Sequence, residues 1–231
     1  MPVAGEVRGM FDAIAGRYDL LNRVLSLGTD HSWRRRTCDA LEVGPGCFAA
    51  DLCCGTGDLA LALEARGARV VAADFSRKML AVAARKGVTR LAEADCLRLP
   101  FRDASFDLVT VAFGARNLTD LGTGLREMRR VLKPGGRIGV LEFACPPGPI
   151  FRRLYMAYLR WAVPSIGAAI SGRRSAYTYL STSIRGFPDQ PRMREILAEA
   201  GFDKVRHLDF ARGIAALYLG DRPVTSPSTA P

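Results

Sequence analysis

The sequence predicts an α/β fold built on a mostly parallel seven-stranded sheet. Three observations carry that prediction. Residues 47–50 form a short apolar run that ends directly in DLCCGTGD, residues 51–58, an acidic residue followed by a Gly-Thr-Gly turn. A second apolar run, 68–73, closes on Asp74. Further apolar runs then alternate with helical patterns along the chain, as parallel strands joined by right-handed crossovers require.

The glycine turn is the centre of the reading. Gly55 and Gly57 remove side chains where the backbone must turn sharply, so a ligand can lie against main-chain N–H groups at the start of the helix 59–65. Asp51 sits at the end of the first strand, and Asp74 stands where a nucleotide-type site uses a carboxylate to accept two ribose hydroxyls. The turn departs from the dinucleotide pattern, because Cys53 replaces its first glycine and no third glycine follows at the required spacing. No Gly-Lys-Ser/Thr is present to hold a triphosphate. A nucleoside without phosphates fits best, and S-adenosylmethionine is the commonest one used in this way.

The remaining elements come in order. Val7, Met10, Phe11, Ile14, Tyr18, Leu21 and Leu25 form the stripe of an amphipathic helix broken near Gly16. With the basic segment 26–36 it predicts an N-terminal helical lid over about 7–40. After the strand–turn–helix unit come a helix at 77–86 and a short strand at 88–92. Asp95 and Cys96 follow that third strand at the same edge as Asp74, where the carboxylate suits an adenine amine and the Cys96 N–H a ring nitrogen. A fourth strand, 106–113, ends at Gly114-Ala115-Arg116-Asn117, which faces the same crevice. The helix 121–132 is expected to stop at a Lys-Pro-Gly-Gly turn before a fifth strand, 137–143.

A helical insertion at about 149–186 comes next. Between 144 and 188 there is no Asp or Glu, while Phe151, Leu154, Tyr155, Tyr158, Leu159 and Ala162 recur at helical spacing with arginines off that face. The bland account is a core-packing helix with solvated arginines; the sharper one is a greasy entrance resting on anionic lipid headgroups. Pro164 and Gly167 break it too early for a membrane span. A helix at 192–200 and strands at 205–210 and 214–219 complete a single domain over 1–221, with a Pro/Ser/Thr-rich tail, 222–231, expected to be disordered.

Composition narrows the partners. The chain has 231 residues, 48% of them apolar, and a formal charge of +10, which raises nucleic acid or an anionic membrane surface. No RNA-binding domain or Lys/Arg-rich tail supports nucleic acid. Six cysteines without a C-x-x-C pair read as small core thiols in a reducing cytoplasm, and neighbouring Cys53 and Cys54 are not joined by an ordinary disulfide. Two histidines make a catalytic metal site unexpected. Neither a signal peptide nor a bilayer span is expected.

Several stretches carry a resemblance. FDAIAGRYDLLNRVLSLGTDHSWRR, DLCCGTGD, LPFRDASFDLVTVAFGARNLTD, EMRRVLKPGGRIGVLEF and YTYLSTSIRGFPDQ, spread over about 8–220, resemble the ubiquinone/menaquinone biosynthesis C-methyltransferase family. DLCCGTGD and KPGG are common to class I S-adenosylmethionine-dependent methyltransferases of Rossmann-like fold. The Tyr-Asp-Leu-Leu-Asn, Phe-Gly-x-Arg-Asn and Ser-Ile-Arg-x-Phe-Pro-x-Gln segments are more specific. Cys53 and Cys54 depart from the small residues usual there, and Ala112 replaces a serine found in some members.

The resemblance implies S-adenosylmethionine as cofactor, contacted by Thr56, Asp74, Asp95 and Cys96, and C-methylation of a prenylated quinol. Demethylmenaquinol is the expected substrate, converted to menaquinol in the last step of menaquinone biosynthesis. A 2-methoxy-6-polyprenyl-1,4-benzoquinol, another lipophilic phenol, or a silent cofactor-binding partner are the alternatives. Arg116 is expected to stabilise the developing phenolate, Asn117 to orient the other ring oxygen, and Tyr18 to position a hydroxyl. His31, or a water held by Arg116, is the candidate proton acceptor. The expected location is cytoplasmic, peripheral to the inner face of the cell membrane, with the oligomeric state open, a homodimer included.

Overall fold

The computed structural model describes residues 4–17, 19, 23, 26, 28–165 and 174–224. Helix α1 (Ala4–Ile14) runs into a 3-10 turn (Ala15–Arg17), and α2 (Asp30–Ala40) precedes the sheet. Then β1 (Phe48–Leu52), α3 (Asp58–Glu64), β2 (Arg69–Asp74), α4 (Arg77–Arg85) and β3 (Leu91–Glu93) form the first half. The second half holds β4 (Phe106–Ala112), α5 (Leu121–Val131), β5 (Leu132–Phe143), α6 (Pro149–Ala157), α7 (Arg174–Gly186), α8 (Gln190–Glu199), β6 (Asp203–Phe210) and β7 (Ala215–Asp221).

Seven strands form one sheet in the order β3-β2-β1-β4-β5-β7-β6. The first five are parallel, and β7 inserts antiparallel between β5 and β6. β1 and β4 read as nearly continuous apolar runs because helices cover both faces of the sheet. On one face Leu125 and Met128 of α5 pack with Met193 and Leu197 of α8; on the other, Trp33, Leu59, Leu63 and Ala83 come from α2, α3 and α4. Side chains start several helices. Ser76 Oγ accepts from Met79 N at 3.1 Å, Asp120 Oδ1 from Thr123 N at 2.8 Å, and Asp189 Oδ1 from Arg192 N at 3.1 Å.

Two sequence expectations change here. Lys-Pro-Gly-Gly is no turn between helix and strand but an irregularity inside β5, whose pairing jumps from Phe106↔Leu132 to Leu108↔Arg137. Arg222, expected in a disordered tail, closes that irregularity. Gly135 N donates to Arg222 O at 2.9 Å, Arg222 N to Gly136 O at 2.7 Å, and its guanidinium to the carbonyls of Arg129, Arg130 and Leu132. Residues 225–231 lie outside the described residues, as do Tyr18, Leu21 and Leu25 of the N-terminal stripe.

The insertion divides its apolar residues between two faces. Tyr155, Leu159 and Val163 are buried with Ile184 of α7. Leu154, expected on the same face, is 64% exposed, and Ile150 and Trp161 also point outward. Leu154 precedes buried Tyr155 by one position, about 100° round the helix, and so falls off the face that Tyr155 and Leu159 share; a π-helical segment, Tyr158–Ala162, follows. No helix among the described residues is long and apolar enough to cross a membrane.

Candidate active site

A cavity of about 410 Å³ opens at the carboxyl ends of β1, β2 and β4. Cys53, Gly55 and Gly57 have φ of +50°, +55° and +83°, and this left-handed path folds the chain from β1 into α3. Val7 and Phe11 of α1 form one wall, so the N-terminal helix lies across the mouth. Arg8 ties it to Glu93 at 3.0 Å, and Ser76 Oγ donates to Asp12.

Five carboxylates line the cavity, Asp51, Asp58, Asp74, Glu93 and Asp95, and three of them were expected at the site. Asp51 is buried; Oδ1 accepts from Thr110 Oγ1 at 2.8 Å, while Oδ2 is buried without a hydrogen-bond partner among the described residues. Burial pushes its carboxyl up to about 7, tempered by Thr110 and by the Arg34 guanidinium. Asp74 accepts Gly55 N at 2.9 Å on Oδ2 and Ser76 N at 2.8 Å on Oδ1, and burial raises its carboxyl too. Asp95 is exposed at the rim, with Oδ1 accepting from Leu97 N at 2.9 Å. Cys96 is buried beside it and lines the cavity.

The glycine turn works differently from its sequence reading. Gly55 N–H is taken by Asp74 and Gly57 N–H by Cys54 O at 2.9 Å, so neither amide is presented to a ligand. Gly57 does not line the cavity. A Cβ there would stand 2.7 Å from Val88 Cγ2, so it is glycine for its backbone and for close packing. Thr56 does line the cavity, and its Oγ1 donates to Asp19 Oδ1 at 2.5 Å. Lys86 Nζ joins Asp19 at 2.8 Å and also reaches Asp58.

At the end of β4 the structure separates Arg116 from Asn117. Asn117 lines the cavity; Arg116 does not. The Arg116 side chain is 4% exposed and is held by Glu142, Nη1 to Oε1 at 2.8 Å, with Nη1 also donating to Phe113 O. Glu142 Oε2 accepts Arg116 N at 3.2 Å and its Oε1 accepts Phe143 N at 2.9 Å. The Arg116 guanidinium, expected to meet a phenolate, is here paired with a fully buried carboxylate and does not line the cavity. His31 is exposed with Nε2 3.0 Å from Arg23 Nη2 and is absent from the cavity wall, so it is not brought to the site. Tyr18 lies outside the described residues.

Three residues were missed by sequence reasoning. Arg34 is buried in the wall, paired to Asp30 at 2.5 Å and to Asp58 at 3.5 Å; the i,i+4 acid–base spacing at the start of α2 was the available signal. Glu142 was legible only as an acid in an otherwise apolar strand. Tyr179 of α7 donates to Asn117 Oδ1 at 2.8 Å, a contact 62 residues apart that no local pattern announces.

A nucleoside carrying an amino-acid moiety fits this set. The orphaned Asp51 Oδ2 suits an ammonium, and the Asp74 oxygens each keep acceptor capacity for ribose hydroxyls after taking one amide. With both glycine amides engaged and Lys86 paired, nothing in the turn cradles a phosphate.

The profile of the ubiE/COQ5 methyltransferase family matches residues 3–222. The chain belongs to that family. It is 50% identical over 222 residues to the demethylmenaquinone methyltransferase of Thermus thermophilus, covering 93% of this chain and all of that protein. It is 47% identical over 218 residues to the protein of the same name from Mycobacterium sp. strain KMS, covering 94% of each. Among solved structures, the [4+2]-cyclase SpnF superposes with a TM-score of 0.71 at 18% identity, covering 96% of this chain and 97% of that one. A methyltransferase from Thermotoga maritima, titled a possible histamine N-methyltransferase, gives 0.64 at 18% identity, covering 93% and 99%. These two likenesses show the fold of the ubiE/COQ5 chain, the class I methyltransferase architecture. The enzyme is a methyltransferase.

Proposed function

We propose that this enzyme transfers a methyl group from S-adenosylmethionine to the ring carbon of demethylmenaquinol, giving menaquinol. The observation that carries the reading is the buried, unpartnered Asp51 Oδ2 in one cavity with Asn117. Asp51 suits a charged amino-acid moiety and Asn117 a polar ring oxygen. Relatives matched along nearly their full length support the naphthoquinol over the benzoquinol.

Bound S-adenosylmethionine supplies an electrophilic methyl on a sulfonium. Asp51 holds the ammonium, Asp74 the ribose, and Asp95 with the Cys96 N–H the adenine. Transfer to a ring carbon needs that carbon electron-rich, and loss of a quinol hydroxyl proton to water provides this, the ring hydrogen then leaving from the methylated carbon to restore the aromatic ring; a phenol titrates near ~10 in water. Asn117 answers that need. With Tyr179 donating to Oδ1, the amide offers Nδ2 hydrogens to the ring oxygen, where they stabilise developing phenolate charge. Arg116 and Glu142 act behind it, fixing the turn that aims Asn117 and keeping its main chain from shifting. Phe113 and Leu118 keep the wall apolar, which strengthens these hydrogen bonds.

On the same reading the enzyme works at the inner membrane surface of the cytoplasm. Ile150, Leu154 and Trp161 are 77%, 64% and 67% exposed, and exposed Arg152, Arg153 and Arg160 accompany them. Apolar anchors with arginines suit an anionic interface, where a prenylated substrate resides.

The test offers purified enzyme demethylmenaquinol and the prenylated methoxybenzoquinol separately, each with labelled S-adenosylmethionine. Label on the naphthoquinol alone is expected. Label on both makes the enzyme common to two pathways, and label on neither, with cofactor bound, removes the quinol assignment.

A further inference from the structure

Cys53 and Cys96 are 43 residues apart in sequence, yet their Sγ atoms lie 3.2 Å from each other. Both line the cavity, and a small solute entering it meets them. Cys54 also lines the cavity, but its Sγ is toward Gly55 O at 3.7 Å and not toward the pair. We propose that Cys53 and Cys96 form an oxidation-sensitive dithiol whose disulfide lowers the affinity of the cavity for S-adenosylmethionine, an inference that rests on the cofactor reading above.

The chemistry balances with a hydroperoxide as oxidant. One thiol, as thiolate, attacks a peroxide oxygen and becomes a sulfenic acid, releasing water; the second thiol attacks that sulfur, forming the S–S bond and releasing a second water. Two thiols lose two hydrogens and two electrons, and hydrogen peroxide becomes two waters. In the structure both thiols are free, and the shared S–H···S hydrogen bond and burial hold the Cys53 thiol above its ordinary range, which makes thiolate scarce and the oxidation slow.

The bond is expected to act on the cofactor because its Cys53 side is the more tightly held, while Cys96, though buried, sits beside exposed Asp95. A disulfide is about 2.05 Å long, so the sulfurs must approach by about 1 Å from 3.2 Å. Cys53 is pinned. It has φ of +50°, and the Gly114 backbone is so close that a Cβ there would sit 2.4 Å from Cys53 Cβ. The 95–97 segment, with Asp95 exposed, therefore takes up the movement. That segment carries both proposed adenine contacts. By reciprocity a bound cofactor, filling the cavity, shields the thiols from peroxide.

The experiment treats whole enzyme with hydrogen peroxide, with and without S-adenosylmethionine, and measures the Cys53–Cys96 linked peptide by mass spectrometry and cofactor affinity by calorimetry. Expected are a linked peptide that forms more slowly in the presence of cofactor, a loss of affinity of tenfold or more, and recovery with dithiothreitol. Cys53→Ala is expected to keep its own affinity through the same treatment. Reduced enzyme that binds cofactor but yields no linked peptide overturns the dithiol alone, as does a quantitative disulfide with affinity changed less than twofold. Reduced enzyme that binds no cofactor overturns the cofactor reading and the switch with it.

Discussion

The Tyr179 hydroxyl donates to Asn117 Oδ1 at 2.8 Å, joining the insertion helix to the turn after the fourth strand. The bond couples the segment that distinguishes this chain from a plain α/β sheet to a polar group in the cavity wall. Tyr179→Phe removes the bond while keeping the ring. We expect kcat to fall about tenfold, the effect of roughly 1.4 kcal/mol in the transition state, with S-adenosylmethionine affinity within twofold. Steady-state kinetics beside calorimetry separates the two; an equal loss in both would place Tyr179 in cofactor binding instead.

Glu142 and Arg116 form the most deeply buried ion pair among the described residues, with side chains 0% and 4% exposed. Removing one partner leaves a charge without compensation. Glu142→Gln should destabilise the enzyme by about 3–5 kcal/mol, read as a lower urea midpoint, and Arg116→Ala by a comparable amount. A midpoint unchanged in both would mean the pair does not anchor the turn.

The Asp51 carboxyl, raised by burial to about 7, is expected to make cofactor affinity pH-dependent if it holds the ammonium as proposed. Only the carboxylate attracts an ammonium, so affinity should rise with pH across about 6–8 and then level. For folding without ligand the sign is opposite. Between about 4 and 7 the unfolded chain has released a proton that the folded chain retains, so this group's contribution to stability falls as pH rises through that window. Asp51→Asn should flatten both profiles, measured by calorimetry and by denaturation at each pH.

For the surface of the insertion, Leu154→Glu with Trp161→Glu should reduce binding to anionic vesicles at least tenfold while leaving turnover of a water-soluble short-chain quinol intact. Cosedimentation measures the first and a coupled assay the second. Undiminished vesicle binding would move the membrane contact elsewhere on the enzyme.

Much of the fold was legible because its signals are local. The glycine turn, the strand-end acids Asp51 and Asp74, and the alternation of runs each express a few neighbouring residues. The irregularity at Lys-Pro-Gly-Gly was not, since its partner Arg222 lies about ninety residues on and looks from composition like tail. The site divides the same way. Asp51, Gly55, Thr56, Asp74, Asp95, Cys96 and Asn117 all reached the cavity wall. Arg116 did not, because a neighbour in the chain says nothing of which side a long side chain takes, and Glu142 decided it. His31 was selected for its chemistry alone, and its helix carries it to solvent.

Transfer of the methyl to carbon is tested most directly by where a labelled methyl arrives. Enzyme, carbon-13 methyl-labelled S-adenosylmethionine and demethylmenaquinol under reducing conditions should give one new aryl methyl resonance on the naphthoquinol ring. A methoxy resonance in its place would show transfer to oxygen and contradict the account.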